Sequence, residues 1–280
     1  MRTRAKISKI FSFVFLCLLA FVMIYPLLWM VGASFKTNAE IFGGLSLIPK
    51  NPVFGAFSSG WNGSGQFGFG TFMKNTFLLV VPTVFFTVIS SVLVGYGFGR
   101  FNFPFKRTLF LLMLATMMLP ATVILIPRYI FFKQLGWLDS YLPFIVPAML
   151  GCFPFFNYMM VQFFRGLPLE LDESAKLDGC NSFTILIRIL LPLCSSAIFS
   201  IIVFQFVWTW NDFLNPLIYI NSVSKYPVAL GLRMTMDISS RFDWNQIMAM
   251  SLFSIIPPVI LFFLAQKSFV EGISTTGIKD

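Results

Sequence analysis

Glu173-Ser174-Ala175-Lys176-Leu177-Asp178-Gly179, nine further residues ending at Arg188, and then Ile189-Leu190-Leu191-Pro192 form a polar island between two strongly apolar stretches. Local chemistry gives this island a shape. Pro168 sits where a first helical turn tolerates it, and Glu170, Asp172 and Glu173 put negative charge at the positive end of a helix dipole. A short helix should start there. Leu167, Leu171, Ser174, Ala175 and Asp178 recur at intervals of three and four, so small side chains share a face and allow close approach by another protein. Gly179 should end the helix, because glycine takes the left-handed cap conformation without a Cβ penalty. Ser182 can cap a second helix, which Pro192 interrupts. Residues 165–192 are therefore expected to form a helix, a sharp bend and a second helix.

The flanking sequence decides the solvent. Of 280 residues, 57% are hydrophobic and 11% charged, against about a quarter charged in soluble proteins. Phenylalanine alone fills 37 positions, which suits lipid-facing and interhelical packing. The formal charge of +9 comes from basic residues scattered singly between apolar runs, not from a stripe that would bind nucleic acid. Cys17, Cys152, Cys180 and Cys194 form no C-x-x-C pair, so neither a disulfide nor a zinc site is expected. The absence of histidine excludes Ser-His-Asp triads, His-based metal sites and His proton relays.

A helix crosses the hydrocarbon in about 20 apolar residues, since its backbone polar groups must pair internally. Six stretches qualify, approximately 10–33, 75–99, 108–130, 141–164, 193–219 and 247–266, giving one all-α polytopic membrane domain over 1–280. The first begins with Arg2, Arg4, Lys6 and Lys9, but its length and lack of a small-x-small site fit a retained span better than a cleaved signal. With a cytoplasmic N-terminus, twelve Lys and Arg fall inside and eight outside, so both termini are expected in the cytoplasm. The segment Ser34 to Lys74, with Gly60, Gly63, Gly65, Gly68 and Gly70, reads as a flexible outside loop. Gly95 and Gly99 make a small-xxx-small pair that lets helices pack closely.

The spacing E-A-A, three residues, G, nine residues, I-x-L-P resembles the cytoplasmic coupling loop of bacterial ABC importer permeases, with Ser174 in place of the first alanine. Other segments resemble the smaller subunit of the maltose-type carbohydrate permeases. They are Gly95 to Phe103, Met118-Leu119-Pro120 through Ile126-Pro127, Leu135 to Ser140, Trp210-Asn211-Asp212-Phe213-Leu214, and the tail from Gln266 to Lys279. The resemblance implies a type I permease fold in a bacterial inner membrane. It implies partners too: a larger second permease, two ATPase subunits, an extracytoplasmic solute-binding protein and a sugar substrate. In such a loop Glu173 would be the ionic anchor on the ATPase, Ala175 the close-contact residue, Gly179 the bend and Asp178 a supporting polar group. Ser174 is similar in size to the alanine it replaces.

The chain has no G-x-x-x-x-G-K-[ST] phosphate loop, so ATP would be hydrolysed by a partner and no cofactor is expected here. Asn157, Gln162, Gln205, Asn211 and Asp212 are polar groups at or near membrane depth, which usually face a bundle interior or a water-filled path. Asn211 and Asp212 are candidates for a pathway or gate, with interhelical hydrogen bonding as the alternative. A glycerol-phosphate importer permease is the related alternative. An ion-driven secondary transporter would need midplane ionisable groups, which are scarce. An intramembrane enzyme would have to use Asp237 and Asp243, which a solvated loop explains.

Overall fold

A computed structural model describes the backbone of residues 2–63, 67–238 and 243–276, and the side chains of 9–63, 67–234 and 243–266. Gly65, Arg241 and the Gly277–Lys279 end of the tail lie outside the described residues, as do the side chains of Asp237 and of the tail beyond Gln266.

The described residues are helical, with no strand among them. In order they form α1 (Arg2–Ala33), α2 (Asn38–Phe42), α3 (Ala56–Asn62), α4 (Phe69–Arg100), α5 (Lys106–Met117), α6 (Ala121–Gln134), α7 (Leu142–Met149) and α8 (Pro154–Gly166). There follow α9 (Glu170–Leu177), α10 (Ser182–Ile185), a π-helical turn (Leu186–Leu190), α11 (Leu191–Leu193), α12 (Ser195–Trp210), α13 (Leu214–Tyr219), α14 (Val228–Ile238) and α15 (Trp244–Thr276). Four stretches are long and apolar enough to cross a membrane: Lys9–Ala33, Phe69–Arg100, Leu142–Gly166 and Trp244–Gln266. Two bent pairs bring the number to six if each pair is one span.

Breaks interrupt three of the expected spans. The third, expected as one helix over 108–130, is α5 and α6 meeting at 104° around Met118, Leu119 and Pro120. Proline at 120 cannot extend α5 and holds its predecessor away from helical dihedrals. The fourth is α7 and α8, parted at residues 150–153, where Gly151 takes φ +69° and Pro154 opens the new helix. The Asn157 amide mends this break by donating to the Gly151 carbonyl at 2.7 Å. The fifth, expected over 193–219, is helical only to Trp210; α12 stops there and α13 restarts at Leu214. Ahead of it, the segment Ser182–Leu193 meets α12 at 77°.

The chain divides into two compact units. Unit 1 comprises residues 1–71 and 231–256. Its loop after α1 is not the open connection expected from its glycines. Trp61 packs edge-on to Phe253, Phe57 does the same, and Phe42 meets Trp244. The Trp244 amide donates to Asn38 at 2.9 Å. The aromatic content of the segment supplies enough apolar area to fix it despite its glycines.

Unit 2, residues 72–230 and 257–280, holds a core that joins several of its helices. Tyr96 and Val92 of α4, Met160 and Phe164 of α8, Ala175 of α9, Ile185 of α10 and Ile201 of α12 are buried together there. Gly95 and Gly99 allow this packing. A Cβ at 95 would lie 2.5 Å from the Met160 Cβ, and one at 99 would lie 2.8 Å from the Phe164 Cβ. Gly97, on the same helix, has nothing within 4 Å of such a Cβ.

Overpacking a helix contact this close costs about 1–3 kcal/mol. We therefore expect Gly95→Ala to lower the unfolding temperature of the detergent-purified chain, whereas Gly97→Ala leaves it unchanged or slightly raises it.

Candidate functional site

The island at 165–192 is built as a bent pair of short helices, with changes at its ends. α9 begins at Glu170, so Pro168 lies just ahead of the first turn. Its C-terminus closes as a Schellman motif: the Gly179 amide donates to the Lys176 carbonyl and the Cys180 amide to the Ala175 carbonyl, with Gly179 at φ +80°. The expected cap at Ser182 is supplied one residue earlier. Asn181 accepts from the Thr184 amide at 2.8 Å, and Ser182 is the first residue of α10. The chain after α10 passes through the π-helical turn before Pro192, which lies in the first turn of α11 instead of cutting a longer helix.

One side of α9 faces inward. Ala175 is buried in the unit 2 core, where its small side chain lets α9 lie against Tyr96 and Phe164. Asp172 is also buried and meets Arg100, the last residue of α4, at 3.1 Å between Oδ2 and Nε. This contact is a charge pair and not a directed hydrogen bond, since neither atom reaches hydrogen-bond geometry. The guanidinium also donates through Nη2 to the carbonyls of Leu167 at 3.1 Å and Pro168 at 3.3 Å. Tyr96 adds a bond from its hydroxyl to the Ser182 carbonyl at 2.9 Å. Thus α4 grips both helices of the island.

The outward side carries Glu173, Ser174, Lys176, Leu177, Asp178 and Gly179, all exposed, with Leu177 at 90%. The Ser174 hydroxyl donates to the Glu170 carbonyl at 2.8 Å, so it lies along its own helix. Of the five residues singled out from the sequence, four are therefore presented to solvent and Ala175 is turned into the core. The Arg100–Asp172 pair escaped sequence reading because its members stand 72 positions apart. Asp172 had a sufficient local explanation as helix-dipole charge.

A second polar group lies at a cavity of about 490 Å³ within unit 2. Arg128 of α6 donates from Nε to the Tyr219 hydroxyl at 2.9 Å and from Nη2 to Asn215 Oδ1 at 2.8 Å. Asn215 in turn donates from its backbone and side-chain amides to the two Asp212 carboxylate oxygens at 3.1 and 2.8 Å. Gln205 and Thr209 of α12 share a 2.9 Å hydrogen bond in the same wall. Asp212 lines the cavity, and Asn211 does not. Asn211 is exposed and bonds back to the Val207 carbonyl at 2.9 Å. Gln162 is exposed. Arg128 stands inside an apolar run, and a cation in that setting is itself the sequence signal for this group.

In the loop after α6 lies Asp139, a non-glycine residue at φ +56°. Its carboxylate accepts from Lys225 Nζ at 2.8 Å, from the Ser222 hydroxyl and amide at 2.6 and 2.8 Å, and from the Asn221 amide at 3.1 Å. The bond from Lys225 and those from Ser222 hold the Asp139 carboxyl well below the usual carboxylate range. Among the described residues no cluster of His, Cys, Asp or Glu could hold a metal ion.

These features define a polytopic helical membrane protein with a helix-bend-helix element after its fourth span. The fold is that of a bacterial ABC transporter involved in the import of the acidic polysaccharide alginate, with a TM-score of 0.83 at 23% identity over 94% of this chain and 97% of that one. Residues 91–275 match the family described as binding-protein-dependent transport system inner membrane component. A putative ABC transporter permease protein of Caldicellulosiruptor sp. (strain Rt8B.4) is 31% identical over 98% of both chains. The arabinooligosaccharides transport permease AraQ of Bacillus subtilis is 29% identical over 98% of this chain and 97% of its own. The sn-glycerol-3-phosphate transport permease UgpE of Yersinia pestis is 29% identical over 94% and 95%. The chain belongs to the binding-protein-dependent inner-membrane transport family, as a multi-pass ABC importer permease.

Two outcomes follow from this geometry. Removing one partner of a buried ion pair strands the other, at a cost of about 3 kcal/mol. Asp172→Ala should therefore lower the unfolding temperature and make the Leu177–Cys180 backbone more sensitive to proteolysis, whereas Glu173→Ala should not. For Asp139 the folded pKa is depressed, so its contribution is complete above the unfolded value of about 4 and is lost as pH falls through the folded value. The unfolding-temperature advantage of wild type over Asp139→Asn should be constant from neutral pH down to about pH 5 and narrow towards about pH 3.

Proposed function

We propose that this chain is the membrane-spanning subunit of an ATP-driven importer of a sugar or oligosaccharide, coupled to a separate ATPase through residues 165–192. The observation that carries the coupling role is the exposed acidic side of α9, held on α4 through Arg100 and ended by the left-handed Gly179. Glu173 is the ionic anchor to a basic groove on the ATPase, and Leu177 adds an apolar contact. Ser174, Asp178 and Gly179 line the same docking side, and Ala175 acts from within by setting how closely α9 sits on the core.

Several relatives are named as transporters of arabino- or galactooligosaccharides, which supports the sugar reading. The chain itself binds no cofactor and catalyses nothing in this scheme. ATP is hydrolysed by two partner ATPase subunits, and an extracytoplasmic binding protein delivers solute to this permease and a second, larger one. The single permease domain, residues 1–280, lies in a bacterial inner membrane with both termini in the cytoplasm, as the distribution of Lys and Arg favours. Asp212 takes part in the pathway, with Asn211 exposed beside it.

Closing of the ATPase pair on ATP would push α9 and α10, and with them α4 and α8, towards an outward-facing arrangement. The expected result of gentle purification from the native host is recovery of an ATPase and a second permease with the tagged chain. Glu173→Arg should lose the ATPase and abolish ATP-dependent uptake while keeping the second permease. Recovery of the chain alone, with uptake that ignores ATP and collapses with a protonophore, would establish the ion-driven alternative instead.

A further inference from the structure

The cavity beside α12 combines features of a carbohydrate site. Trp208 and Trp137 contribute aromatic walls, and the polar groups converge from α6, α12 and the turn before α13. Its volume of about 490 Å³ lies within the usual range of about 300–1000 Å³ for small-molecule pockets. Gln205 is 3% exposed, yet its Oε1 has no hydrogen-bond partner among the described residues. A buried acceptor without a partner costs stability unless a ligand or water meets it. Arg128 commits Nε and Nη2, which leaves Nη1 donors for a further acceptor.

Charge decides the class of ligand. Among the described residues, Arg128 and Asp212 are the only charged members of the lining, and Asn215 bridges them. Asp212 accepts on both oxygens from Asn215, which bonds Arg128 in turn, so acid and base are paired through one amide. The cavity is therefore neutral overall, with donors and acceptors in balance and apolar ring faces around them. A phosphate or a polyuronate would bring charge with nothing in excess to meet it, and desolvating that charge is expensive.

We propose that this cavity is a subsite for one or two rings of an uncharged saccharide. Ring faces stack on Trp208, a sugar hydroxyl donates to Gln205 Oε1, and another accepts from Arg128. The proposal rests on the importer reading above and narrows it to neutral substrates, against glycerol phosphate.

The test uses the complete importer in liposomes with internal ATP and external binding protein. It is offered a mixture of partial hydrolysates of starch, arabinan, galactan and alginate together with sn-glycerol 3-phosphate. Mass spectrometry of the vesicle contents should show uncharged oligosaccharides alone. Gln205→Ala and Arg128→Gln should each reduce uptake of that sugar by about tenfold, the equivalent of one lost hydrogen bond. ATP hydrolysis stimulated by the loaded binding protein should persist, and Trp208→Phe should retain the uptake that Trp208→Ala loses. In the unaltered chain, Cys152 lines the cavity and is exposed, so the imported sugar should slow its alkylation by N-ethylmaleimide but not that of Cys17.

Entry of the anionic solutes alone would overturn the neutral assignment. Normal uptake by the variants, or Cys152 shielded equally with and without sugar as by lipid or the second permease, would overturn the subsite and leave the importer standing. No ATP-dependent uptake by the wild type would overturn both.

Discussion

The charge pair between Arg100 and Asp172 ties the longest span in unit 2 to the helix that faces the partner. Neither side chain is accessible enough to be hydrated, so each depends on the other. The same guanidinium satisfies the carbonyls of Leu167 and Pro168, which have no helical partner because α8 has ended and α9 has yet to begin. One cation thus replaces the backbone hydrogen bonds that a turn normally forfeits. Without it, α9 would be held to the core only by the burial of Ala175 and by its flanking loops, and more of a push on Glu173 or Leu177 would be absorbed locally.

The apolar contacts give that joint its stiffness. Glycines at 95 and 99 bring α8 close enough to α4 for Met160 and Phe164 to fill the space that Cβ atoms would take. Ala175 brings α9 onto the same core. The cavity around Arg128 arises from the opposite condition. Proline at 120, a left-handed Gly151 and the end of α12 at Trp210 interrupt three spans within unit 2, and polar groups gather where continuous helices would have left no room. In the proposed importer a stiff arm and a broken, polar centre belong together, because movement imposed at one must change the space at the other.

The sequence made the fold class legible because the bilayer imposes a length and a composition that no soluble helix shares. It also made the helix end at Gly179 legible, since only glycine adopts that conformation without strain. What it hid depends on distance in the chain. Asp139 meets Ser222 and Lys225, Arg128 meets Tyr219, and Arg100 meets Asp172, each across a separation that local patterning does not register. The size of the helix breaks is illegible for a related reason: hydropathy scores residues 108–130 as one segment whatever the angle at which Pro120 turns the chain. The same rule hid the orientation of Ala175. A small residue at helical spacing fits an outward contact and an inward one equally, and the burial of Ala175 in the core that holds Tyr96 decides for the inward one.

The central claim is that α9 moves as one body with α4. It is tested most directly by the distance between spin labels at Leu177, on the exposed tip of α9, and Leu93, on the exposed face of α4, in the assembled importer. Double electron–electron resonance should give one narrow distribution that is the same with and without bound ATP, and should broaden on Asp172→Ala. A wild-type distance that changes on ATP binding would mean that α9 pivots on its own, and would contradict the account.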